Sequence, residues 1–528
     1  MKRRTLLAGI AAAPALSAPR LALSQGRNVL KFIPQTDLTV ADPIMATVYA
    51  TRDHSYMVFD TLYGTDSQYR TTPQMVAGHV VENDGKLWKL TLRDGLKWHD
   101  GPPVLAKDCV ASIQRWGKRD PFGQALLAVT EELSAADDKT IVFRLREPFP
   151  LLPAALGKLS PLVPAMMPER LAMTDPFKHV TEMIGSGPFR YKADERVSGA
   201  RTVYEKFTGY VPRSDGTPDW TAGPKIVHVD RVEWTVINDP STAAAALQSG
   251  EQDWLNAVAA DLLPVLRRAP NLKVEVADPS GTFCMMRLNH LQPPFNNPAI
   301  RRALFGAINQ TDMMLALANS DPAMFKVPIG FFPYGAPLSS DAGMSAIPAT
   351  PDYDKVKRDL AAAGYKGEKV VFLSATDPAF VKIMADVGAD MLVKAGMNVD
   401  YKVGDFGTLI SRRNSKAPVE DGGWSAFMTA LAGIDMLNPA VQAQLRGNGL
   451  DSWIGWPSSP KIEQLRVDWF HAPDLATEKS IGRKIQEQAF IDVPYLPMGQ
   501  FSGATAYNKR LSNVLRGYAL FWNVRKDA

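Results

Sequence analysis

The span from Lys369 to Val403 constrains the fold more than any other stretch of the chain. Lys369–Leu373 reads as a strand, and 378–394 as a helix carrying Phe380, Ile383, Met384, Val387, Met391 and Leu392 on one side. Gly396 stops that helix, and Val399–Val403 follows as the next strand. Strand, helix and strand in so short a span make a βαβ unit, which implies α/β architecture for that half.

A chain of 528 residues is too long for one hydrophobic core, so two or three domains are expected. Hydrophobic content of 46% and charged content of 22% place it with globular proteins rather than disordered ones. Val29–Ile33 reads as a strand near the start. Between Lys86 and Leu92, residues Leu87, Lys89 and Thr91 alternate with Trp88, Leu90 and Leu92, and Asp94-Gly95 punctuates the run like a hairpin turn. Thr140–Leu145 is a further short strand after the turn Asp137-Asp138.

Residues 1–24 read as an export signal rather than as part of the fold. Lys2, Arg3 and Arg4 precede a short apolar run from Leu6 to Leu16, and Ala22-Leu23-Ser24 offers small residues for cleavage. Arg3-Arg4 ahead of Thr5-Leu6-Leu7 matches the twin-arginine type of signal, although Sec signals also tolerate paired arginines. The apolar run is well short of the ~20 residues that span a bilayer. No cysteine stands near the end of this leader to take a lipid. The expectation is a soluble periplasmic protein without a lipid anchor.

The net charge of +4 equals the contribution of Lys2, Arg3, Arg4 and Arg20, all in the leader, so the remainder is near neutral. No long basic run is left to follow a phosphate backbone, which argues against a nucleic-acid partner. Cys109 and Cys284 each sit in apolar surroundings and read as buried structural thiols rather than as a bridge.

Catalytic chemistry finds little support. The histidines show no His-x-x-x-His pair, no cysteine lies at zinc-finger spacing, and neither a G-x-S-x-G elbow nor a P-loop is present. No catalytic residue, metal or cofactor is assigned, and His99-Asp100 reads as part of a turn. Trp424, Phe427, Trp453 and Trp456 cluster among glycines and prolines. They suit either a domain core or the walls of a binding cleft, and loop placement would favour the cleft for Trp424 and Phe427.

The stretch Trp88–Trp116, WKLTLRDGLKWHDGPPVLAKDCVASIQRW, resembles the signature of the family 5 extracellular solute-binding proteins of ABC importers, the class of dipeptide, oligopeptide and nickel-chelate binders. Further landmarks stand in the family's order: Gly185-Ser186-Gly187-Pro188-Phe189, Arg287-Leu288-Asn289, Asp492-Val493-Pro494-Tyr495-Leu496-Pro497 and Phe521-Trp522-Asn523. The resemblance implies a two-lobed periplasmic-binding-protein clamp of type II. Lobe one would take 25–277 and 490–528, with an extra domain at roughly 61–184, and lobe two would take 278–489. It implies a monomer that captures a short peptide or peptide-sized polar molecule between the lobes and passes it to a membrane permease. A periplasmic hydrolase on the same scaffold, or a ligand-loaded sensor partner, is the rival reading.

Segments corresponding to 49–54 and 119–124 line the cleft in related binders, which singles out Tyr49, Arg52, Arg119 and Phe122. Trp424, Phe427 and Trp456 join them as aromatic wall candidates. In the family's peptide binders a segment like Gly-Trp-x-x-Asp-x-x-Asp-Pro supplies a carboxylate for the ligand's ammonium group. Here Phe427 follows Trp424 where that acid would stand, whereas Asp435-Met436-Leu437-Asn438-Pro439 reproduces the acid's spacing further along. Either the acid is lost at Phe427 or an insertion has displaced it to Asp435.

The leader yields a direct test. Replacing Arg3 and Arg4 together by lysine should abolish export if the twin-arginine receptor reads the pair, measured by fractionating cells; unchanged export of the double variant points to Sec.

Overall fold

A computed structural model describes residues 28–318, 321–377 and 379–527. The expected leader lies outside them. Two mixed sheets organise the chain. The first has seven strands, in the spatial order 272–276, 504–508, 254–258, 29–33, 231–235, 201–206 and 189–191. The second has six, in the order 325–326, 496–501, 282–288, 426–432, 369–375 and 398–404.

The βαβ unit is present in the second sheet. Lys369–Ala375 pairs in parallel with Asn398–Gly404, and the helix Ala379–Lys394 connects them. Val370, Val371, Phe372 and Leu373 are all buried, as a strand covered on both faces requires. Gly396 ends the helix with φ +84°, a conformation that favours glycine.

A third, four-stranded antiparallel sheet comprises 76–82, 87–92, 140–145 and 130–135 in spatial order, within the stretch expected as an extra domain. Leu87–Leu92 does pair as a hairpin, but with the preceding strand Val76–Glu82 rather than across Asp94-Gly95. The second Asp-Gly, Asp100-Gly101, closes only the small bridge Lys97–Pro103. Asp108 anchors the following helix, Ala106–Gly117. Its Oδ2 accepts from Leu105 N at 2.9 Å and Trp98 Nε1 at 3.2 Å, and its Oδ1 accepts from Glu169 N at 2.8 Å.

The chain passes between the two large sheets twice. The first passage lies between Leu272–Val276 and Thr282–Leu288, the second between Leu496–Phe501 and Ala504–Asn508. This corrects the expected return near residue 490. Leu496–Phe501 pairs antiparallel with Thr282–Leu288 and therefore belongs to lobe two, so the second crossing falls at Ser502-Gly503. Ala277 N donates to Gly503 O at 3.0 Å, tying the crossings together. The tail then packs on the first sheet, with Phe521 edge-on to Phe32 at 5.0 Å.

The aromatic cluster is core. Phe427 lies inside the strand Ala426–Ala432, opposite Arg287, and Trp424 just precedes it. Trp424 and Phe427 are fully buried and Trp456 nearly so. Trp424 contacts Phe427 at 5.0 Å and Trp456 at 5.9 Å, and Phe427 reaches Trp453 at 6.2 Å, all within lobe two. The strand runs toward the hinge at Ala432, which leaves Phe427 roughly 17 Å away at about 3.3 Å per residue. The expectation that these three wall the cleft is therefore corrected: strand extension carries Phe427 away from it. Cys109 and Cys284 are buried free thiols, as expected. Phe427→Ala should lower stability by about 3–5 kcal/mol, as for a buried phenylalanine, measured by urea denaturation.

Candidate functional site

The far end of the same strand leads to the interlobe contact. After Ala432 the chain turns through Gly433–Asp435, and Gly433 N donates to Gly281 O of the first crossing at 2.7 Å. A Cβ on Gly433 would stand 2.0 Å from Ser280 O, so only glycine lets this turn lie against the hinge. The turn presents the Asp435 carboxylate to lobe one.

There it meets the start of the helix Tyr49–Val58. The Tyr49 hydroxyl donates to Asp435 Oδ2 at 2.8 Å and accepts from Ala432 N at 2.8 Å. Arg52, one helical turn on, packs its guanidinium 4.8 Å from the centre of the Tyr49 ring and 4.1 Å from that of Tyr518. Its charge is committed to Asp53, with Nη2 at 2.8 Å from Oδ1. Asp435 therefore has no direct ion-pair partner among the described residues, and its Oδ1 is buried without a hydrogen bond from the protein.

The electrostatics follow from that arrangement. Burial raises the Asp435 carboxyl to about 6, opposed by the Tyr49 hydrogen bond and by the charges of Arg52 and Lys158, and reinforced by Asp278. Burial also raises Asp53 and Asp278, with Asp278 adding to the shift at Asp53. Burial and the neighbouring Asp435 charge push the Tyr49 hydroxyl well above its ordinary value.

A cavity of about 80 Å³ adjoins this contact, lined by Phe122, Lys158 and Ser160 from lobe one and by Ile434, Leu437 and Asn438 from lobe two. Lys158 is buried and paired with Asp120, so its charge is already engaged. Phe122 also reaches across the lobes, with its ring 6.0 Å from Phe470, which lies 5.9 Å from Phe149. Beside them His471 Nε2 stands 3.2 Å from Glu147 Oε1. A groove of about 350 Å³ lies wholly within lobe two, lined by Asn309, Tyr353, Asp390 and Lys394 among others, and contains none of the expected site residues.

Of the residues expected at the cleft, the structure brings Tyr49, Arg52 and Asp435 together and places Phe122 on the wall of the cavity that Ile434 also lines. Arg119 stays within lobe one: its Nε donates to Ile44 O at 3.3 Å and its guanidinium lies 4.9 Å from the Phe177 ring centre. Trp424, Phe427 and Trp456 are remote core. His99 is a buried turn residue, hydrogen-bonded to Gly187 O at 3.0 Å and pushed down to about 4 by burial. Asp278, Lys158, Phe470 and His471 escaped sequence reasoning. No group of acids, histidines and cysteines that could hold a metal ion occurs among the described residues.

Two lobes joined by a double crossing, with an unpaired acid between them, define a clamp that binds its ligand by enclosure. The chain belongs to the bacterial extracellular solute-binding proteins, family 5, whose middle region matches residues 70–449. It is 38% identical to a "probable peptide ABC transporter periplasmic-binding protein" of Sinorhizobium fredii, across 100% of this chain and 99% of the relative. Similar solved folds include the PBP AgaA of A. tumefaciens R10 in complex with agropinic acid (TM-score 0.76, 19% identity, covering 95% of this chain and 99% of that one). Another is the periplasmic binding protein DppA of Helicobacter pylori in complex with the peptide STSA (TM-score 0.76, 20% identity, 95% and 98% covered). The protein is thus a solute-binding component of an ABC importer. No helix of the described residues is long and apolar enough to cross a membrane.

The raised carboxyl has a measurable consequence. A group whose pKa is raised on folding stabilises the protein below its unfolded value and loses that contribution as pH rises through the folded value, here about 6. Asp435→Asn should therefore gain stability relative to the parent as pH rises from about 4 to about 6, by on the order of 1 kcal/mol once partial exposure is discounted. Paired thermal melts across that range check it.

Proposed function

We propose that the exported protein works in the periplasm as a monomer, enclosing a short peptide or peptide-sized polar molecule with a cationic amine and delivering it to a membrane permease. The observation that carries this reading is Asp435, an interlobe carboxylate with one buried oxygen unpartnered and no cation paired to it. Arg52 and Lys158 are occupied by Asp53 and Asp120, so the charge left for a ligand is negative. The similarity to a relative described as a peptide ABC transporter component supports the peptide class.

The test is calorimetry with one ligand found by thermal-shift screening of peptides, since a bound ligand raises the melting temperature by mass action. Asp435→Ala should cost roughly 2–5 kcal/mol of binding, as for truncating one side of a buried charged pair. Acetylating the ligand's amine should cost a similar amount on the parent protein and little more on Asp435→Ala, because both changes remove one interaction. Additive losses, or no loss in Asp435→Ala, would overturn the reading.

A further inference from the structure

The Tyr49 hydroxyl has one proton and two neighbours. Ala432 N can only donate, so the hydroxyl accepts from it and must direct its own proton at Asp435 Oδ2. Both contacts cross the lobes, because Tyr49 opens a lobe-one helix while Ala432 and Asp435 bracket the end of a lobe-two strand. The Tyr49 ring is itself supported by the Arg52 guanidinium, 4.8 Å from the ring centre and held by Asp53.

With Oδ2 taken by Tyr49, only Oδ1 of the carboxylate remains, buried and without a protein partner. The charged and titratable groups bearing on it are Tyr49 and Arg52 from the helix, Lys158 from lobe one and Asp278 from the first crossing. Arg52 and Lys158 are each engaged by an aspartate, so neither donates to Oδ1.

Building on the proposed amine-binding role of Asp435, we infer that Tyr49 is a positioning residue that aims Asp435 Oδ1 at the ligand's cationic N–H only when the lobes meet, and that capturing this ligand exchanges it for a proton on that carboxyl. The step balances. Below about pH 6 the empty closed site holds mostly the neutral acid, with its proton on Oδ1. The ligand's ammonium keeps its own protons and donates one hydrogen bond to Oδ1, while the displaced proton leaves to solvent. The burial-raised value of about 6 makes the neutral form accessible under mildly acidic conditions.

The experiment uses the full chain, Tyr49→Phe, which keeps the ring over Arg52, and Asp435→Asn. In the ligand-free protein, carboxyl carbon NMR should show a resonance that titrates near pH 6. Asp435→Asn should remove it and Tyr49→Phe should displace it; a resonance unmoved in Tyr49→Phe overturns the coupling. In the second arm, native mass spectrometry compares retention of a tripeptide library with that of its N-acetylated counterpart. The parent should prefer free amines, and Tyr49→Phe should reduce that preference about tenfold, the scale of one hydrogen bond to a charged group. Calorimetry of a retained peptide below pH 6 should show about one proton released, by its dependence on buffer ionisation heat, and none in Asp435→Asn. Zero release by the parent overturns the exchange. Retention of neither library, with the titration as expected, removes the peptide reading and upholds the Tyr49–Asp435 coupling.

Discussion

The hydrogen bond from Ala277 N to Gly503 O joins the two places where the chain changes lobes. On one side of it, Leu272–Val276 and Ala504–Asn508 pair in the first sheet; on the other, Thr282–Leu288 and Leu496–Phe501 pair in the second. Two adjacent strands thus leave one sheet together and enter the other together. Each lobe keeps its own ladder, and the short segments between them are where a hinge rotation would be absorbed. The Gly433–Asp435 turn is hydrogen-bonded to the same segment through Gly281, so the acid that meets lobe one is referenced directly to the hinge.

Around this joint the balance of buried charge is uneven. Asp53, Asp278 and Asp435 are each raised by burial, while Arg52 is the cation at their centre and is committed to Asp53. Burying a carboxylate without a partner is costly, and the group responds by holding its proton. The proposed cationic ligand would supply the missing charge and make the closed state with ligand electrostatically more complete than the closed state without it. Arg287 shows the contrasting solution in lobe two: it is fully buried, but donates to the carbonyls of Ile454, Gln444, Pro494 and Trp453 and serves packing rather than recognition.

Local pattern carried much of this arrangement. The apolar run at 369–373, the Gly396 stop and the Asp-x-x-Asn-Pro spacing at Asp435 all operate within a few residues, and each is visible in the chain. Trp424 misled because a Gly-Trp pair looks alike before a buried strand and at a cleft, and only the length of the strand to Ala432 separates the two. The boundary near 490 failed for a related reason: Leu496–Phe501 is assigned to lobe two by pairing with Thr282–Leu288, a partner some two hundred residues distant. Phe470, His471 and Lys158 carry no motif at all. Their roles arise from contacts with Phe122, Glu147 and Asp120 that the folded topology creates.

Two kinds of seam join the lobes, the Tyr49–Asp435 hydrogen bond and the ring cluster of Phe122, Phe149 and Phe470, and of these residues Phe122 lines the cavity between the lobes. They join the lobes by unlike forces, one polar and one apolar. Each aromatic pair of the apolar seam adds about 0.5–1.5 kcal/mol. A change in the protonation of Asp435 therefore acts on one seam and leaves the rings of the other untouched.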